Sequence, residues 1–226
     1  MGHLATSIAH ELNQPLAAIL TNAQAALRLM ANGRIDVDDL RACLADIVSD
    51  DQRAAEVIRR MRRLLQKMDV VAAPFALSDL VASTIGLVAN DALLHGVSID
   101  FKPAAALPVV HGDVVQIQQV ILNLLTNAIA AAAEGRAVRT VTVWTAPVPP
   151  DVVELAVHDS GAGITDGDRH RLFEPFFSTK PDGLGMGLAI VHKIVEAHGG
   201  QLHADNDPAG GATFRVHLPV EPGASG

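Results

Sequence analysis

Aromatic side chains are scarce in this chain: six Phe, one Trp and no Tyr among 226 residues. A core must therefore be aliphatic, and the supply is ample, because apolar residues make up 49% of the sequence. Cysteine is reduced to Cys43 alone, which excludes an internal disulfide and fits a reducing compartment. Basic charge is short as well: 17 Lys and Arg stand against 25 Asp and Glu, a net charge of -8. A general nucleic-acid binder needs the opposite excess to neutralise phosphates, so no nucleic-acid partner is expected. The sequence has no run of about 18 uncharged apolar residues and no N-terminal basic region leading into an apolar one. The expectation is a soluble, cytoplasmic chain making no membrane contact of its own, with room for one large domain or two modest ones.

What is present begins with helical periodicity. Leu4, Ile8, Leu12, Leu16, Ile19, Ala23, Leu27 and Met30 recur at three- or four-residue steps, the spacing of one helix face over 4–31. Asn32-Gly33 supplies residues that tolerate the left-handed turn ending a helix. Asp36 is placed to cap a second helix, whose stripe is Val37, Leu40, Leu44, Ile47, Asp51, Ala54, Ile58, Met61, Leu65 and Met68. That alternation is the seam of a helix packing in coiled-coil fashion. One hairpin of two such helices cannot bury both apolar faces, whereas two hairpins joined in a four-helix bundle can. A homodimer is expected. Asp51 interrupts the seam, either as a water-accessible point or as a register device that costs stability. Arg59, Arg60, Arg62, Arg63 and Lys67 crowd the end of the second helix, where cations complement the macrodipole on a solvated face.

Val70 to Pro74 reads as a joint, and the texture changes after it. The pattern predicts a helix at about 77–94, strands at 97–101 and about 108–111, and a helix over 113–133. Strands follow at 138–146 and 152–158, then a long glycine-rich stretch, a helix at about 185–198, and strands near 201–205 and 212–218. Helices mixed with hairpin-joined strands imply an α+β two-layer sandwich, with helices on one face of a largely antiparallel sheet. The expected domains are 1–69 and 74–220.

His10 stands in Ser7-Ile8-Ala9-His10-Glu11-Leu12-Asn13-Gln14-Pro15-Leu16, a histidine with an acidic neighbour on an amphipathic helix. Ideal helical steps put it roughly 160° from both Ile8 and Leu12, so it faces away from the bundle. Asn123 and Asn127, four apart, share one face of the 113–133 helix. Carboxamide oxygens suit a hard cation such as Mg²⁺ that already carries phosphate oxygens, although two Asn on a helix also serve as plain polar contacts. Asp159-Ser160-Gly161-Ala162-Gly163 follows an apolar strand. A carboxylate there can accept from an exocyclic amine such as that of adenine, while the glycines let backbone approach a flat ring. Gly183, Gly185 and Gly187 then lead into a helix, where backbone N–H groups and the dipole form an anion cradle. No βαβ unit surrounds this run, so it is not the dinucleotide fingerprint. Between the two glycine runs lies Phe173-Glu-Pro-Phe176-Phe177-Ser-Thr-Lys180, with three of the six Phe. These anchor a polar lid, and Lys180 either neutralises a phosphate or sits on the rim. His192, His198 and His203 lack zinc-like clustering with Cys and read as surface or structural.

Taken in this order, these segments resemble the catalytic core of the bacterial sensor histidine kinases over nearly the whole chain. The His10 segment is similar to the phosphoacceptor box and Asn123/Asn127 to the N box. Asp159 to Gly163 is similar to the first glycine box, Phe173 to Lys180 to the F box, and Gly183 to Gly187 to the second glycine box. Gly210-Gly211-Ala-Thr213-Phe214 resembles the last glycine-rich turn of the Bergerat-type ATP domain. The His-Glu-Leu-Asn-Gln-Pro-Leu wording is most similar to the subgroup with oxygen-sensing and dicarboxylate-sensing kinases.

The resemblance implies an α-helical hairpin forming a dimeric four-helix bundle for dimerisation and phosphotransfer, followed by the ATP-binding sandwich. His10 would be the nucleophile, an imidazole able to attack the γ-phosphorus near neutral pH, and Glu11 would accept or orient the ring proton. Residue i+1 points about 100° away on a helix, so this needs a bent side chain or a kink, for which Pro15 is a cause. Asn123, Asn127, Asp159, Gly161, Gly163, Lys180, Gly183, Gly185, Gly187 and Thr213 would hold ATP, the Asn pair reaching Mg²⁺ through it. The partners implied are a second copy and the receiver domain of a response regulator, and the chain would be the cytoplasmic part of a longer, membrane-bound sensor. Two positions depart from the pattern. Gln14 stands where many members carry the Thr or Asn that orients a dephosphorylating water, and Ala130 where many carry Lys. A related ATPase places Glu where Asn123 stands, as a base for water, and serine kinases of the same superfamily lack a phosphoacceptor hairpin. The remaining alternative is a degenerate, dimeric scaffold.

Overall fold

The computed structural model describes residues 2–31, 36–65, 70–135, 138–179, 185–208 and 210–220, with the side chains of 2–11, 56 and 60–65 outside that description. The chain divides into two compact units, Met1–Gln66 with Pro175–Met186, and Lys67–Glu174 with Gly187–Gly226.

The first unit is built on two long helices, α1 (Gly2–Ala31) and α2 (Val37–Leu65), packed on each other. Asp36 starts α2 as its sequence position requires: its Oδ1 accepts from the amides of Asp38 at 2.9 Å and Asp39 at 3.3 Å. Pro15 lies inside α1 and is buried; lacking an N–H, it withholds the i→i−4 bond from the Glu11 carbonyl. Within one hairpin the sealed contact uses Pro15, Ala26, Ala54 and Val57. Leu16, Leu20, Leu27, Met30, Leu44 and Ile58 stay exposed, so a second apolar face runs along the outside. Asp51 is exposed. Asn32 and Gly33 lie outside the described residues.

The second unit layers helices on one face of a five-stranded sheet. After β1 (Ala73–Phe75) come α3 (Leu77–Leu94), β2 (Ser98–Lys102), β3 (Val110–Gly112) and α4 (Val114–Ala133). Then follow β4 (Thr140–Val148), β5 (Val152–Asp159), α5 (Gly187–Ala197), β6 (Gln201–Asn206) and β7 (Ala212–Pro219). The sheet order is β2-β4-β5-β7-β6; β2 pairs with β4 in parallel and every other pair is antiparallel. Alternation along the central strands sends Val141, Val143, Val153, Leu155, Val157, Phe214, Val216 and Leu218 toward the helices, all buried. The core is aliphatic, as the shortage of aromatics requires.

Where the sequence reads a joint at Val70 to Pro74, the structure has a short strand: β1 pairs antiparallel with β3, Pro74 opposite His111. Helices α3 and α4 are each long and apolar enough, by length and composition, to cross a membrane. In the fold, α4 packs on β4 and β5 between α3 and α5, burying Ile117, Val120, Ile121, Leu124, Leu125, Ala128 and Ile129.

Asp113 caps α4, accepting from Val115 and Gln116 amides at 3.0 and 3.1 Å. Its own N–H donates to His198 Nε2 at 3.0 Å, while His198 Nδ1 donates to the Ile194 carbonyl at 2.8 Å. An amide can only donate, so the proton of this imidazole sits on Nδ1. The ring ties the C-terminal end of α5 to the N-terminal end of α4. His198 is a structural residue.

Candidate functional site

The period of β5 decides where Asp159 goes. Val153, Leu155 and Val157 face the helices, and Asp159 is the next residue on that side, opposite Val141 of β4. Its carboxylate is thereby carried under the helix layer, 3% exposed. Ser160 locks the strand end: its hydroxyl accepts from Thr140 N–H at 2.9 Å and donates to the Val138 carbonyl at 3.1 Å. The chain then turns back, and Gly161 N–H donates to Asp159 Oδ1 at 2.8 Å.

Gly161 is a glycine because the space is taken. A Cβ there would lie 2.7 Å from Asp159 Oδ1 and 2.8 Å from the Ala131 carbonyl of α4. The loop thus rests on α4 one turn beyond Asn127, and Asn123 lies one turn before it, each step being about 6 Å along the axis. The first residue of α5, Gly187, comes to the same place: a Cβ on it would sit 3.7 Å from Asn127 Nδ2. Asp159, Gly161, the two Asn and the N-terminus of α5 therefore line one stretch of α4.

Two observations say what chemistry fits here. Asn123 Nδ2 is buried with no hydrogen-bond acceptor among the described residues, a donor that a phosphate oxygen would satisfy. The first turn of α5 carries no acidic residue, leaving its unpaired amides and positive dipole end available to an anion. No group of three His, Cys, Asp or Glu able to hold a metal occurs among the described residues. A Mg²⁺ carried by phosphate oxygens could take a carboxamide oxygen here as a neutral protein ligand.

Not every expected residue joins this cluster. Thr213 pairs with His158 on the opposite face of the sheet from Asp159, its hydroxyl 3.1 Å from His158 Nδ1. Gly163, at φ +81°, lies beside Asn206 and Gly211. Phe173 stacks on His192 of α5 with ring centroids 5.3 Å apart, and His192 Nδ1 lies 3.4 Å from Glu196. Within the first unit, Gly185 takes φ +62° and its carbonyl accepts from Phe176 N–H at 2.9 Å, Phe176 itself at φ +68°. Lys180 and Gly183 lie outside the described residues. On α1, Gln14 is exposed, and His10 and Glu11 are helical residues whose side chains fall outside the description.

Asn206 escapes the sequence reading altogether. Its Oδ1 accepts from Ile164 N–H and its Nδ2 donates to the Ile164 carbonyl, both at 2.7 Å. The only local signal is an Asn at a strand end before Asp207-Pro208, which reads as turn chemistry.

Two family models match the sequence in order. The His Kinase A (phospho-acceptor) domain covers residues 1–68, and the histidine kinase-, DNA gyrase B-, and HSP90-like ATPase covers 112–222. A solved mycobacterial sensor histidine kinase, MprB, is 30% identical, with a TM-score of 0.59 over 67% of this chain and 99% of that one. The chain belongs to the sensor histidine kinases. Its fold is similar to that of histidine kinase ThkA in complex with response regulator TrrA, at a TM-score of 0.78 and 23% identity over 99% of this chain and 63% of that one. Among curated relatives, sensor histidine kinase TmoS of Ectopseudomonas mendocina is 40% identical over 97% of this chain and 23% of its own length. Sensor protein FixL of Bradyrhizobium diazoefficiens is 37% identical over 97% of this chain and 44% of its own length. The chain thus spans less than half of either relative. As a histidine kinase core it carries an ATPase-type domain, and ATP is the nucleotide that domain brings.

Proposed function

We propose that the chain is an ATP-dependent protein histidine kinase that phosphorylates His10 and passes the phosphoryl group to an aspartate in the receiver domain of a response regulator. Residues 1–69 act as the dimerisation and phosphotransfer domain, and 74–220 as the catalytic ATP-binding domain. In the first step a ring nitrogen of His10 forms a bond to the γ-phosphorus as the bond to the ADP oxygen breaks, and Glu11 takes up the ring proton. Asp159 accepts from the adenine amine. Asn123 and Asn127, with the α5 N-terminus at Gly187, hold the phosphates, and Lys180, Gly183 and Gly185 are further nucleotide-binding residues. Mg²⁺ supplies charge neutralisation at the phosphates, with Asn127 and Asn123 as its protein ligands. Gln14 orients water for any phosphatase activity. The exposed apolar face of the hairpin is the surface of a homodimer, and the whole works in the cytoplasm as the output end of a longer sensor.

The observation that carries this reading is the convergence of a buried carboxylate, close-packed glycines and two Asn along α4, in a chain whose first helix bears His10. Asn at position 123 also separates it from an ATPase, since a carboxamide cannot deprotonate water. Incubation with γ-labelled ATP and Mg²⁺ tests it. Acid-labile, base-stable label on the chain is expected, and a chain that binds ATP but takes no label overturns the kinase reading.

A further inference from the structure

The β6–β7 turn reaches the candidate nucleotide site from a distant part of the sequence. Asn206 closes β6, and its carboxamide grips the backbone of Ile164 at both polar atoms, 2.7 Å each, across 42 residues. Beside that grip, a Cβ on Gly163 would lie 2.9 Å from Asn206 Oδ1 and 3.3 Å from the Gly211 carbonyl. Gly211 in turn sits, at φ +86°, directly against the carbonyl of Asp159. The turn holds its own shape through Asp207 N–H to Gly211 O at 3.1 Å and Gly210 N–H to Asp207 O at 2.9 Å. The loop from Asp159 to Ile164 is therefore held at both ends: by Ser160 and Gly161 at the strand, and by Asn206 at its far side.

We propose that Asn206 is a positioning residue of the nucleotide site, fixing the Gly161–Ile164 backbone against Asp159 before ATP arrives. This rests on the reading of Asp159 and its glycines as the adenine site. A loop held in its bound shape loses little freedom on binding, which raises affinity without any contact to the ligand. A carboxamide answers both the backbone donor and the backbone acceptor of one residue in this way, with a separate atom for each. An aspartate keeps the acceptor and loses the donor, and an alanine loses both.

The experiment uses the full chain, with ATP as the probe. In Asn206→Ala the ATP dissociation constant rises about tenfold, as expected for two lost hydrogen bonds acting through loop order. Self-labelling at saturating ATP keeps its rate, and the Ile164 amide exchanges faster in the nucleotide-free protein. Asn206→Asp falls between Asn206→Ala and the unsubstituted chain. A purely structural bond would lower the melting temperature and leave the folded protein's ATP affinity unchanged; that result overturns the proposal. Affinity and maximal rate falling together overturns it as well. An unsubstituted chain that binds no ATP defeats the adenine-site reading itself, whereas intact binding with an unaffected Asn206→Ala defeats only the role given to Asn206.

Discussion

Replacing Asp159 by Asn changes one atom at the most buried carboxylate among the described residues of the second unit and leaves its shape intact. The side chain is 3% exposed, and Oδ1 accepts from Gly161 N–H at 2.8 Å. In the variant that bond persists through the carboxamide oxygen. The other position then presents an N–H where the carboxylate offered a lone pair, and two donors face each other when adenine enters. One charge-assisted hydrogen bond is lost, about 1.5–3 kcal/mol, so the ATP dissociation constant should rise about 10- to 150-fold. Gly161 keeps its partner, so the fold should survive. Calorimetric titration with ATP and with GTP, alongside thermal melting, measures all three terms. Equal affinities of the unsubstituted chain for ATP and GTP refute the adenine assignment. An Asp159→Asn variant that binds ATP normally refutes it equally.

The remaining perturbations probe the other parts. His10→Gln should abolish self-labelling and leave ATP affinity nearly unchanged, since acceptor and nucleotide groups lie on different elements; label persisting on the variant would move the acceptor to another of the ten histidines. Asn127→Ala should reduce Mg²⁺-dependent labelling far more than thermal stability, and a destabilised variant with full activity per folded molecule would make the Asn pair merely structural. Light scattering at micromolar concentration should find the full chain and residues 1–69 dimeric and residues 74–220 monomeric, because Leu16, Leu27, Met30 and Leu44 are exposed on a single hairpin; a monomeric full chain would refute the four-helix bundle.

Much of the architecture is written in local periodicity. The three- and four-residue steps of α1 and α2, the cap at Asp36 and the alternation of β5 each follow from a few neighbouring residues. The strand β1 does not: three residues with Pro74 in the middle carry no pattern, and only pairing with β3 makes them a strand. The parallel contact of β2 with β4 spans more than forty residues and has no local signature. The end of β4 passes Pro147 to reach Val148 opposite Val152, beyond where a proline would be expected to stop it. At the site, the glycine runs and the Asn123–Asn127 spacing are legible because steric need and helical phase are local. Thr213 illustrates the limit: one residue of phase along β7 decides which face a side chain meets, and pairing with His158 turns it away from Asp159. Asn206 is invisible for the same reason as β1, since its partner is remote.

The imidazole of His198 has a mechanical consequence. Helices α4 and α5 pack together with their directions opposed, and that ring fastens the end where Asp113 begins one and Ile194 nears the close of the other. Gly112 leaves no slack there, because a Cβ on it would meet the ring at 2.7 Å. At the other end of the pair stand Gly187 and Asn127. A clothes-peg sprung shut at its hinge can spread only at its tips, and here the hinge is a pair of short hydrogen bonds on a ring with no room to swing. The one spacing that this fastening leaves adjustable is therefore the gap at those tips, between Asn127 and the first amides of α5.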